Sequence, residues 1–174
     1  VAAELNKELK PVLKQANEAF DKRAYRKAHE LYMSMLEMLE NAGMGGAALP
    51  AAYVAIPRRL GEIEVINGRG LKALRWLNAA ARCSPKDVET KLQLAEAHLL
   101  GEDPDEEDAI SCLREALTLV PASKPKKKKS VEIQLALCLF QHGQRQEGGG
   151  LLTKILQADM EDKGFTYAGE YMMA

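Results

Sequence analysis

Apolar residues recur at intervals of three and four along most of this chain, which predicts amphipathic helices rather than strands. Four segments share one outline: a helix with a small residue at its middle, a turn, and a second helix opening near another small residue. In residues 9–40 the first stripe is Val12, Ala16, Ala19 and Phe20. A short polar turn follows at 21–25, and Ala28, Leu31, Tyr32, Met35 and Leu36 form the second stripe. In residues 53–86, Leu60 and Gly61 lie mid-helix and Asn67-Gly68 is a turn dipeptide. Ala73, Leu77 and Ala80 then share one face, and Pro85 ends the helix.

In residues 87–121 the first helix carries Leu92, Leu94, Ala95, His98 and Leu99. The acidic run EDPDEED makes the turn, and Ala109, Leu113, Ala116 and Leu117 mark the second helix up to Pro121. The acids suit that helix start, where they meet the positive end of its dipole. In residues 131–160, Ile133, Leu135, Ala136, Leu139 and Phe140 form one stripe, His142-Gly143 ends it, and Gly148, Leu152, Ile155 and Leu156 continue. Three consecutive glycines, Gly148, Gly149 and Gly150, weaken that last helix by about 1 kcal/mol each relative to alanine. Gly164 is a break, and 161–174 reads as the start of a further helix. The intervals between Ala28, Ala73, Ala109 and Gly148 are uneven, and the extra length falls in two loops. Residues 41–50, NAGMGGAALP, are Gly-rich and expected to be flexible. Residues 122–130, ASKPKKKKS, are basic and expected to be a mobile loop.

These four units resemble the tetratricopeptide repeat, a helix–turn–helix of about 34 residues. The second matches through Leu60, Gly61, Gly68, Ala73, Ala80 and Pro85, and the first through Ala16, Tyr25, Ala28 and Tyr32. The third matches through Leu94, Ala95, Ala109, Ala116 and Pro121, with extra turn residues. The fourth matches through Leu135, Ala136 and Gly143, but has Gly148 where alanine is usual. Small residues let paired helices approach, and large ones fill the remaining space. A single hairpin buries too little apolar surface to stand alone, so neighbours stack. The expected fold is therefore all-α: a single array of antiparallel helix pairs, 1–174, whose right-handed superhelical sense the resemblance implies.

The resemblance also implies a function: gripping a peptide or helix of a protein partner in a concave groove lined by first helices. Aligned on the repeat, that lining is Lys14, Asn17, Arg58, Arg59, Glu62, Gln93, Glu96 and Gln134. One subclass clamps the carboxylate tail of chaperones with Lys, Asn and Arg at fixed positions. Asn17 fits that clamp, but Leu13, Arg59, Glu89 and Gln93 replace its other residues. A chaperone adaptor of this kind would lack the standard clamp. Arg58 and Arg59 are the cations offered to an acidic partner. The fourth unit and the tail also resemble, faintly and without a diagnostic motif, the repeat-rich subunit of TFIIIC. That resemblance implies a nuclear scaffold assembling the RNA polymerase III initiation machinery.

Composition narrows the function classes. Of 174 residues, 47% are hydrophobic and 28% charged, as in folded proteins rather than disordered ones. A net charge of −1 gives no global field for nucleic acid or anionic lipid. No apolar run is long enough to span a membrane, and the opening VAAELNKELK has no signal-peptide core. With no initiator Met and a close at YMMA, a piece of a longer protein is expected. Cys83, Cys112 and Cys138 are three and widely spaced, which suits buried free thiols in a reducing, intracellular compartment. Nucleus is favoured over cytoplasm. His29, His98 and His142 lie in different helices, and no nucleotide, metalloprotease or hydrolase motif is present. No catalytic residue, metal or cofactor is expected. Lys124, Lys126, Lys127, Lys128 and Lys129 have three readings: a solvated loop, a nuclear import signal, or salt-sensitive phosphate contact without base stacking.

Overall fold

Eight helices follow one another in the computed structural model, which describes residues 2–162. They are α1 (Ala2–Asp21), α2 (Tyr25–Asn41), α3 (Ile56–Ile66) and α4 (Gly70–Cys83), then α5 (Val88–His98), α6 (Glu106–Leu119), α7 (Pro125–Gln141) and α8 (Arg145–Asp162). Among the described residues there is no strand. Each odd-numbered helix packs on the next even one, and each pair then packs on its neighbour in the chain. The further helix expected from 161–174 lies almost wholly outside the described residues.

The apolar stripes account for this order. Leu9, Ala16, Ala28, Tyr32 and Met35 are fully buried between α1 and α2, beside Leu60 of α3. Ala73 and Leu77 of α4 then meet Val65 of α3, and Leu94 and Ala97 of α5. Farther on, Ala109 and Leu113 of α6 meet Leu135 and Leu139 of α7. The core is thus a row of clusters that touch only their neighbours, as in a stacked solenoid. Each fully buried leucine contributes about 2 kcal/mol of transfer free energy to that row.

The turns follow from local chemistry. Gly68 and Gly143 adopt φ values of +69° and +92°, the left-handed region open to glycine, at the ends of α3 and α7. Asp87 caps α5, its carboxylate accepting the Thr90 N–H at 3.1 Å and the Thr90 hydroxyl at 2.6 Å. Asp105 caps α6 through the Asp108 N–H, and Glu106, Glu107 and Asp108 fill its first turn.

Three expectations change. The lysine run is helical from Pro125 onward, so only residues 120–124 connect α6 to α7. Proline suits the first helical turn, lysine is a good helix former, and Lys127 and Lys129 find anionic partners in Glu89 and Asp159. The Gly-rich connection is folded back instead of free. It makes two short 3₁₀ turns, Gly46–Ala48 and Ala51–Tyr53, with Met44 and Leu49 packed on the first core cluster. Finally, Phe140 and Leu156 were expected in the core and are exposed, at 46% and 62%. The Phe140 ring lies under the Arg145 guanidinium of α8, 6.0 Å from its centre, and is not packed into the core.

Gly148 has a physical reason to differ from the alanine of its counterparts. A Cβ there would lie 2.6 Å from the Ala136 carbonyl oxygen and 2.7 Å from the Phe140 nitrogen. α7 and α8 approach backbone to backbone at this point, so glycine's helix cost is offset by contact.

Candidate functional site

All eight residues expected to line a groove lie on the first helices of their pairs: α1, α3, α5 and α7. The structure divides them into two groups. The first is polar and already satisfied within the chain. Asn17 accepts a hydrogen bond of 2.6 Å from the Tyr32 hydroxyl, and burial pushes the Tyr32 phenol above its usual range. Lys14 lies 4.0 Å from Glu18 on an open surface. Arg58 bridges Glu62 and Asp87, both at 3.6 Å. Arg59 pairs with Glu62 at 3.7 Å and stacks 4.1 Å above the Phe20 ring. These two arginines are therefore engaged within the chain, not held out for an acidic partner.

The second group borders a cavity of about 500 Å³ between α5 and α7. Gln93 and Glu96 stand on one side, and Gln134, Leu137 and Gln141 on the other. The Gln93 Oε1 atom is buried and has no hydrogen-bond donor among the described residues. Leu137, 45% exposed, presents an apolar side chain at the same place. Lys127 closes one end through its ion pair with Glu89. Sequence reasoning found Gln93, Glu96 and Gln134 but missed Leu137 and Gln141. Their positions three and seven after Gln134 put all three on one helix face, a signal readable without coordinates.

Of the five lysines, Lys127 and Lys129 are held in ion pairs, and Lys124, Lys126 and Lys128 are exposed at the α7 start. His98, Asp105 and Asp108 place ligand atoms within 4.8 Å of one another where α5 meets α6. Asp105 and Asp108 are exposed, and both stand at the positive end of α6, which disfavours a cation.

The cysteines are free thiols. Burial pushes Cys138 and Cys112 above the ordinary thiol range, Lys91 drawing Cys112 back only in part. Cys83 and Cys112 depart from the buried expectation: both are partly exposed, Cys83 with its thiol 3.5 Å from the Gly46 carbonyl, and Cys138 is the buried one. With a disulfide reagent at pH 8, Cys83 is expected to react at least tenfold faster than the buried Cys138. Mass mapping after short exposure checks this; equal labelling of Cys83 and Cys138 would show that the α6–α7 core opens readily.

No family model matches the sequence, and no curated protein matches it. Solved structures do. MamA 41-end from Desulfovibrio magneticus RS-1 superposes with a TM-score of 0.71 at 16% identity, over 88% of this chain and 76% of that one. The MamA RS-1 ArsTM double mutant gives 0.71 at 15% identity, over 90% and 78%. At such identities the likeness is one of fold: a solenoid of the tetratricopeptide type. The resemblance to the TFIIIC subunit, and a nuclear place with it, gains no support from these bacterial neighbours. No helix among the described residues is long and apolar enough to cross a membrane.

Proposed function

We propose that the chain is a non-enzymatic adaptor module that holds a segment of a protein partner along the concave face, between α5 and α7. The unpaired, buried Gln93 Oε1 carries this reading. A buried acceptor left without a donor costs about 1–3 kcal/mol, which a backbone N–H of a bound segment would recover. Leu137 supplies an apolar anchor beside it, and Glu96 an exposed negative charge. The preferred segment is therefore extended, with one apolar side chain and a neighbouring basic residue. An anionic tail is disfavoured, in keeping with the missing carboxylate clamp.

Affinity capture followed by mass spectrometry, comparing the wild type with Leu137→Asp, tests this. Because Leu137 is half-exposed, folding should survive and partner recovery should fall at least tenfold. Recovery unchanged by the substitution would move the binding surface elsewhere. The identity of a partner lost on substitution decides between narrower roles: initiation-factor subunits for a nuclear scaffold, chaperones for an adaptor of unusual clamp.

A further inference from the structure

A second cavity belongs to the second helices, away from the proposed partner face. A groove of about 840 Å³ runs between α2 and α4, closed at one end by the 3₁₀ segment around Gly46 and Leu49. That segment is the insertion that lengthens the first repeat interval. It is fastened to α4 through the Cys83 thiol and the Gly46 carbonyl, and without it the groove would have no end wall.

The floor is apolar: Met33, Leu36, Leu49, Trp76 and Ala79. Its two sides carry opposite charges. Glu30, Glu37 and Glu40 line the α2 side, and Arg75 and Arg82 the α4 side. Arg75, Arg82, Glu37 and Glu40 form no ion pair among the described residues, and Glu30 pairs only with Arg26 on its own helix. Glu30 and Glu37 are seven residues apart, as are Arg75 and Arg82. Seven residues of helix span about 10 Å, so each row repeats at the two-turn spacing of a third helix laid between them.

We infer that this groove is a second docking site, whose occupant is an amphipathic helix of another protein. The occupant carries an apolar stripe, basic residues two turns apart on the edge facing α2, and acidic residues two turns apart on the edge facing α4. It enters by the helix-in-groove mode. This site is independent of the α5–α7 face.

Trp76 is the chain's one tryptophan and lies on the floor, so its emission reports occupancy. The probe is a tryptophan-free synthetic helix with a leucine stripe, lysines on one edge and glutamates on the other. Two further probes carry lysine on both edges or glutamate on both. The expected result is a saturable Trp76 emission change with the mixed-edge helix, at least tenfold weaker with either single-sign helix. Arg75→Glu with Arg82→Glu should weaken the mixed helix tenfold or more. Adding Glu30→Lys and Glu37→Lys should restore it, the peptide binding in the reverse direction. Both arginines are exposed, and circular dichroism checks the fold of each variant; Arg75→Gln with Arg82→Gln is the milder substitute. Three results would each overturn the inference: no saturable change with a folded chain, equal affinity for the three helices, or indifference to charge reversal. Leu137→Asp should leave this binding unchanged, which separates its failure from that of the α5–α7 reading.

Discussion

Replacing Ala73 with arginine is expected to abolish cooperative folding of the chain. Ala73 is fully buried where α4 meets Val65 of α3 and Ala97 and Leu94 of α5. An arginine there would add a long side chain to a close-packed site, which by itself costs about 1–3 kcal/mol. It would also bury a guanidinium among the apolar side chains of Val65, Leu77, Leu94 and Ala97. An uncompensated buried charge costs about 3–5 kcal/mol more. The sum is comparable to the whole stability of an ordinary domain, about 5–15 kcal/mol. In a stacked array the damage spreads, because the α3–α4 pair joins the first pair to the third. Gly61→Leu should act in the same direction. Even a Cβ at Gly61 would lie 2.5 Å from the Leu77 Cγ, and Leu77 has no exposed path of retreat. Urea unfolding followed at 222 nm checks both. An Ala73→Arg midpoint equal to that of the wild type would show that α4 does not pack through this face.

The pairing of helices was legible because it depends on local spacing. Ala16, Ala28, Leu60, Ala73 and Leu77 fall on stripes that any helical periodicity exposes, and each is buried as that periodicity requires. The face that carries the candidate site was legible for the same reason, since position within a repeat decides which way a first helix points. The charges on that face were not legible. Asp87 meets Arg58 only because α5 returns beside α3, and Glu89 reaches Lys127 only because α7 stacks on α5. Such pairs join residues far apart in sequence, and no pattern along the chain announces them. The lysine run misled for a related cause. Proline followed by like charges resembles a solvated loop until distant acids neutralise part of it. The Gly-rich insertion held a readable clue in Met44 and Leu49, two large apolar side chains that a free loop has no reason to carry. Phe140 and Leu156 show the converse. Periodicity counts them as core, but burial also needs a neighbour on the far side.

The three consecutive glycines of α8 should respond to alanine with opposite signs. Gly149 and Gly150 have no heavy atom within 4 Å of an added Cβ. Alanine at either position should stabilise the chain by about 0.5–1 kcal/mol, because it removes glycine's entropic cost inside a helix. Gly148→Ala gains the same helix term but places its Cβ 2.6 Å from the Ala136 carbonyl oxygen and 3.1 Å from the Phe140 Cα. Those are backbone atoms of α7 that no rotamer change can withdraw. α8 would have to move off α7, opening the contact made by Leu139 and Leu151. Overpacking of this kind costs about 1–3 kcal/mol, enough to outweigh the helix gain. Domains of this size shift their melting point by about 2–4 °C per kcal/mol. Gly148→Ala is thus expected to melt several degrees below wild type and Gly150→Ala a few degrees above it, measured by calorimetry side by side. If both alanines raised the melting point, α8 would be helical but not seated against α7, and the fourth pair would lack the close contact that its glycine permits.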